Sequence, residues 1–274
     1  QMGGSKMFIR VGTDVPLEKL IQGVIVDSGN DACVALAQFV GGSEDTFTNM
    51  MNQQAQLLGM KDTHYTDSTG LPSPDHYTTA YDLALLTHAL ITDFPEYYHY
   101  FSEKWLMYNN ITQPNRNRLL WRYPDADGLK TGHTDQAGFC LIGSAIKNGL
   151  RLIVVVLNAP TDEARASDAI ALLTYGFRFY TSHLIYQAGS NIATPRVWFG
   201  AEKTVPASVA QDLYVTLPYG QFQEIQTTIQ TDSNLKAPIT KGQTVGSVII
   251  NENGQPIETM PLIALTNIPK GGVF

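Results

Sequence analysis

Apolar residues along this chain recur first with the period of a helix and then with the period of a strand. Leu17, Leu20 and Ile21, followed by Ala32, Val34, Ala35, Leu36 and Phe39, keep helical spacing within Pro16 to Phe39, with Ser28-Gly29-Asn30 between the two pieces. The triplet therefore caps or opens a helix. Asp45 to Leu58 predicts a further helix stopped by Gly59, and Thr78 to Ile91 another, with Thr78 or Thr79 as cap and Asp82 in the first turn. Thr69 to Asp75 carries Gly70, Pro72 and Pro74 and reads as loop. Tyr108 to Asp127, rich in Asn, Arg and Pro, reads as an irregular excursion.

The period then changes. Lys130-Thr131-Gly132 is followed by Phe139 to Ile146, an Asn148-Gly149 turn and Leu152 to Leu157, a strong local hairpin signal. This second triplet is expected on or beside the edge of an antiparallel sheet. Asp162 to Tyr180 returns to helical spacing through Ala166, Ile170, Leu173 and Phe177. From about His183 onward short alternating strands, such as Tyr214 to Leu217 and Thr244 to Ile250, are punctuated by Pro, Gly and an Asn253-Gly254 turn, which predicts a separate small all-β domain.

Composition narrows the class without changing these elements. The 274 residues are 43% hydrophobic and 16% charged, enough apolar material for a core. A formal charge of −7 and the lack of a basic stripe argue against a nucleic-acid partner. Cys33 and Cys140 are too few for a disulfide framework or a metal site, and the histidines lack ligand spacing, so no metal or other cofactor is expected. No apolar run approaches the twenty or so residues of a membrane helix. The opening Gln1-Met2-Gly3-Gly4-Ser5 lacks a leader and reads as the middle of a longer sequence.

Candidate chemistry rests on the two triplets. Ser28 at a helix start can relay a proton through its hydroxyl, and Asn30 can donate its amide to a carbonyl. Lys130 supplies positive charge, Thr131 a hydroxyl, and Gly132 a gap where another backbone can approach. Singly, Ser-Gly-Asn is ordinary turn chemistry and Lys-Thr-Gly leaves a solvated lysine. Together, in this order and on these elements, they point to a site for serine acyl transfer.

Val24 to Cys33, Gln113 to Trp121, Asp127 to Thr134, Leu172 to Arg178 and Arg196 to Gly200 closely resemble the low-molecular-mass penicillin-binding proteins that are D-alanyl-D-alanine carboxypeptidases. The resemblance implies an α/β (α+β) domain of the penicillin-binding, serine β-lactamase type over residues 1–181, its antiparallel sheet flanked by helices. A small C-terminal β-sandwich would follow over residues 182–274. It implies removal of the terminal D-alanine from peptidoglycan pentapeptides through an acyl-enzyme, acylation by β-lactams, and a place in the bacterial periplasm. Carried over by position, Ser28, Asn30 and Lys130 are catalytic. Thr131, Gly132 and the backbone N–H of His133 line the substrate strand, and Arg165 receives the substrate carboxylate; read without the family, Arg165 is an exposed helix arginine.

The departures are as informative. The family's Ser-x-x-Lys, which carries nucleophile and base, is expected ahead of Gln1. The two such spacings present are decoys: Ser144 and Lys147 fall on a strand, where residues three apart face opposite ways, and Ser233 and Lys236 precede Pro238 in the β-rich part. The numbered chain alone is therefore expected to be inactive. Gly271-Gly272-Val273-Phe274 shows no amphipathic anchor, so inner-membrane association is expected only if the full-length protein has one. A non-catalytic module that binds peptidoglycan or a partner is the alternative reading. A β-lactamase fits less well, because it has no use for the β-rich tail.

Overall fold

The structure is a computed structural model and describes residues 3–272. Gln1, Met2, Val273 and Phe274, and the readings attached to them, lie outside the described residues. The chain divides into two compact units between Arg178 and Phe179, three residues before the boundary expected from sequence. Strand β6 (Tyr180–Tyr186) accounts for the shift, since it pairs with β8 (Leu213–Pro218).

In the first unit, α1 (Leu17–Ile25) starts after Pro16, whose fixed φ suits a helix entrance. α2 (Asn30–Gly41) ends on Gly42 at φ 76°, the left-handed turn that glycine adopts without steric cost. α3 (Glu44–Leu57) is capped by Ser43, whose hydroxyl accepts from the Thr46 N–H at 3.1 Å. α4 (Ala80–Asp93) is capped in the same way by Thr79, with 3.2 Å to the Asp82 N–H. Leu20, Ile25, Val26 and Ala32 share one core with Met7, which is fully buried.

The stretch read as irregular contains a hairpin instead. β1 (Trp105–Tyr108) and β2 (Ile111–Pro114) pair antiparallel around Asn109 and Asn110, both at positive φ. Asparagine tolerates that region, so Asn-Asn makes the tight turn usually signalled by Asn-Gly. A short helix, α5 (Leu119–Arg122), follows.

The sheet runs β3 (Ala126–Thr134), β4 (Gly138–Lys147), β5 (Leu150–Ala159), with β3 at one edge among the described residues. Asn148 and Gly149, both at positive φ, close the β4–β5 hairpin. α6 (Asp162–Phe179) covers the sheet, packing Ala169 and Leu173 against Leu119, Leu141 and Val154. On β4, Ser144 is fully buried and accepts a hydrogen bond from Arg151, while Lys147 is exposed and 3.9 Å from Asp125. That decoy pair faces apart as its strand requires.

The second unit holds a four-stranded antiparallel sheet, in the order β7 (Ala207–Val209), β11 (Gln255–Ala264), β10 (Thr244–Glu252), β9 (Ile225–Thr231), and the β6–β8 pair. Asn253 and Gly254, both at positive φ, form the β10–β11 turn. Leu213, Val215 and Leu217 of β8 share one core with Val248, Ile250 and Leu262, so the two sheets enclose a common apolar interior.

Candidate active site

Ser28 occupies the left-handed region at φ 56°, a conformation that costs a non-glycine residue about 1–2 kcal/mol. The turn is held from outside. Asp31 in the first turn of α2 accepts from the backbone N–H groups of Met7 (2.8 Å) and Ile9 (3.0 Å), fastening an N-terminal strap, residues 3–9, across the helix start. The Asn30 N–H, which would otherwise lack a helical partner, donates to the Ser5 carbonyl at 2.9 Å. The Asn30 side-chain amide donates to the Gly3 carbonyl at 2.8 Å, so its observed partner is a peptide C=O.

β3 brings the second triplet to the same place across 102 residues of sequence. Lys130 Nζ donates to Ser28 Oγ at 2.8 Å and to the Thr131 carbonyl at 2.9 Å. Burial moves the Lys130 ammonium down to about 8, and the Arg116 and Arg165 guanidiniums push the same way. The lysine is thus not the solvated side chain its triplet alone suggests. A Cβ placed on Gly132 would meet only Cys140 Cβ, at 3.8 Å, so the protein's own packing leaves that side of the strand open.

Arg165, in the first turn of α6, is 7% exposed, which overturns its reading as an exposed helix arginine. Its Nη1 donates to the carbonyls of Gly132 (2.9 Å) and Cys140 (3.1 Å), its Nη2 pairs with Asp162, and its guanidinium lies over Phe139. It therefore joins α6 to the β3–β4 end of the sheet. The exposed His133 ring stacks on Phe139 with centroids 3.9 Å apart.

These groups line one cavity of about 1080 Å³. All seven residues expected from sequence, Ser28, Asn30, Lys130, Thr131, Gly132, His133 and Arg165, are on its wall. So are Gly4 and Ser5 of the strap, the loop 68–71, and Arg116 and Arg118, to which sequence reasoning assigned no role. Four cationic side chains, Lys130, Arg116, Arg118 and Arg165, line the cavity with one carboxylate, Asp162, and Glu163 pairs with Arg118 beside it, so the lining keeps a positive excess in a chain of net charge −7 and suits an anionic ligand.

Arg116 is placed by local side-chain chemistry. Asn115 Oδ1 accepts from the Asn117 N–H and Asn117 Oδ1 from the Leu119 N–H, an alternation of asparagines that was the available signal. Arg116 Nε then donates to the Asp27 carbonyl at 3.2 Å. Asp27 itself is 1% exposed, and burial raises its carboxyl to about 6 against the opposing pull of Arg116. Its Oδ1 is buried without a hydrogen-bond partner.

A helix-start Ser-x-Asn joined by an edge-strand lysine is the polar half of an active-site-serine hydrolase of the penicillin-recognising class. Comparison with known proteins gives the same class. Residues 1–161 match the D-alanyl-D-alanine carboxypeptidase family model, and residues 180–270 match the model of the penicillin-binding protein 5 C-terminal domain. The chain is 43% identical to Escherichia coli D-alanyl-D-alanine carboxypeptidase DacC and 40% identical to DacA, each over 99% of this chain and 68% of the relative. Penicillin-binding protein 5 from Haemophilus influenzae superposes with a TM-score of 0.81 at 38% identity, over 97% of this chain and 78% of that one. The chain belongs to the D-alanyl-D-alanine carboxypeptidase family, which are serine hydrolases.

Proposed function

We propose that this chain carries the substrate-binding and proton-relay residues of a periplasmic serine carboxypeptidase that removes the terminal D-alanine from peptidoglycan pentapeptides, and that β-lactams acylate it. The serine nucleophile and its base belong to a Ser-x-x-Lys outside the 274 numbered residues. The contact that carries this reading is Lys130 Nζ to Ser28 Oγ at 2.8 Å, an ammonium and a hydroxyl in line for proton transfer.

In the reaction the nucleophile's oxygen bonds to the penultimate D-alanine carbonyl carbon, and its proton goes to the base. Collapse of the tetrahedral intermediate breaks the C–N bond. Ser28 Oγ passes a proton to the leaving amine and is reprotonated from Lys130, whose lowered proton affinity makes that transfer easier. Water then hydrolyses the ester: its oxygen bonds to the acyl carbon, the ester C–O bond breaks, the nucleophile's oxygen regains a proton, and the proton held by the base returns through Ser28 to Lys130. The Asn30 amide holds a substrate peptide carbonyl, the same group it holds in Gly3. Substrate backbone pairs along Thr131 and Gly132. In an antiparallel edge strand every second residue turns its N–H and C=O outward; Thr131's carbonyl meets Lys130, so the His133 N–H, two residues on, faces outward as one oxyanion donor. Thr131 and Arg165 bind the free carboxylate of the terminal D-alanine.

Intact-protein mass spectrometry of the full-length protein exposed to benzylpenicillin tests this. The expected result is a gain of one penicillin mass on a serine outside residues 1–274. Absence of an adduct overturns the hydrolase reading in favour of a non-catalytic binding module.

A further inference from the structure

Arg118 is displayed from a buried frame at the entrance to α5. Asn117 before it and Leu119 after it are fully buried, and Asn117 Oδ1 fixes the turn by accepting from the Leu119 N–H at 3.1 Å. The arginine side chain, half exposed, reaches from there to the first turn of α6. Its Nε lies 2.6 Å from Asp162 Oδ2 and its Nη1 donates to Glu163 at 3.2 Å, while Nη2 donates no hydrogen bond among the described residues. Ion pairs so open to solvent contribute little to stability.

Asp162 faces two cavity guanidiniums at once. Arg118 takes Oδ2, and Arg165 Nη2 meets Oδ1 as an ion pair off the hydrogen-bond axis, which leaves Oδ1 buried without a hydrogen-bond partner. Glu163 is shared with Arg122, 2.8 Å away, so three arginines meet two carboxylates and one positive charge is left over. The donors that can use it differ between the two arginines. Arg165 gives Nη1 to the Gly132 and Cys140 carbonyls and is buried, with Nε and one side of Nη2 to spare. Arg118 keeps Nη2 whole on the wall of the cavity. Arg116 is held elsewhere, by the Asp27 carbonyl beside Ser28.

We propose that Arg118 is a specificity-determining residue: its Nη2 joins Arg165 and Thr131 on the terminal carboxylate of the peptide, and so selects a free carboxylate over an amide. The inference rests on the proposed function, which seats that carboxylate at Arg165. Bound there, it is the missing negative charge, and the guanidiniums of Arg118 and Arg165 alternate with two carboxylates, Asp162 and the substrate's own. The bond from Nη2 is charge-assisted and made in ground and transition state alike, so its loss raises KM and spares kcat. The competing role for Arg118 is a tie between α5 and α6 through Glu163.

Release of D-alanine from diacetyl-L-Lys-D-Ala-D-Ala by the full-length protein, with the C-terminal amide of the same peptide as competing ligand, tests this. Arg118→Gln should raise KM for the free acid about tenfold, with kcat and the inhibition constant of the amide within about twofold of the parent. Glu163→Gln removes the tie but not the cavity donor, and should leave KM unchanged or lower it. An unchanged KM in Arg118→Gln, an equal loss of affinity for acid and amide, or a rise in KM in Glu163→Gln that matches Arg118→Gln overturns the proposal. The parent separates the two readings. A parent that binds the peptide without turnover loses the hydrolase, and its acid and amide affinities against those of Arg118→Gln then decide the arginine by the same criteria; a parent that neither turns over nor binds the peptide overturns both.

Discussion

The two units treat buried polarity in opposite ways. Of the twelve buried polar or charged residues among those described, eleven lie in the first unit and one, Ser208, in the second. The second unit closes sixteen apolar residues into a single core, while the first divides its apolar residues among smaller clusters around the cavity. Burying a polar group costs free energy unless it is hydrogen-bonded, so the first unit gives up core continuity to hold Asn30, Thr131 and Arg165 in fixed positions. The β-rich unit has one continuous apolar core with a single buried polar residue among those described, and its substitutions should read out differently.

The largest effect that tests this contrast is at Lys130. In the full-length protein, Lys130→Ala should lower the rate constant of penicillin acylation by about 10³-fold or more, as loss of one member of a concerted group does. Its melting temperature should change little, because the buried ammonium is itself disfavoured by burial. Acylation within tenfold of the parent would take Lys130 out of the proton relay. The counterpart is Leu262→Ala in the second unit, where the side chain is fully buried. It should destabilise that unit by about 3 kcal/mol in chemical denaturation, with acylation per folded molecule unchanged. A loss of acylation without unfolding would break the division of labour between the units.

What the sequence disclosed follows from how local each signal is. Thr79 caps its helix with a bond three residues long, and Asn148-Gly149 closes a hairpin by its own backbone preference, so both were legible; the Ser43 cap is just as local, yet the sequence reading began that helix at Asp45 and named no cap. The β1–β2 hairpin was not legible, because its Asn-Asn turn is a weaker signal and only Leu106 of its first strand is buried. The paired triplets disclosed the chemistry of the site. The burial of Arg165 was hidden, since its partners Gly132 and Cys140 lie 33 and 25 residues away. The strap is hidden for the same reason: its fastenings to Asp31 and Gln113 span 22 to 107 residues and leave no local pattern.

A smaller effect sharpens the contrast through pH. Asp27 has its folded proton affinity raised from 3.8 to about 6, chiefly by burial, so between those values the folded protein holds more protons than the unfolded one. Stability should therefore rise as pH falls from about 6 toward 4. Lys130 acts at the other end: its affinity is lowered from 10.5 to about 8, the unfolded chain holds more protons in between, and stability should rise as pH climbs through that window. Between pH 6 and 8 both burial costs apply in full. Asp27→Asn should remove the acid-side gain, a difference of about 1–2 kcal/mol between pH 4 and pH 7 when its denaturation profile is subtracted from the parent's. The difference isolates Asp27 from the other carboxylates that titrate in the same range. A parent and variant with parallel profiles would place the partnerless Oδ1 in contact with water, and the buried polar residues of the first unit would then number one fewer held at a cost.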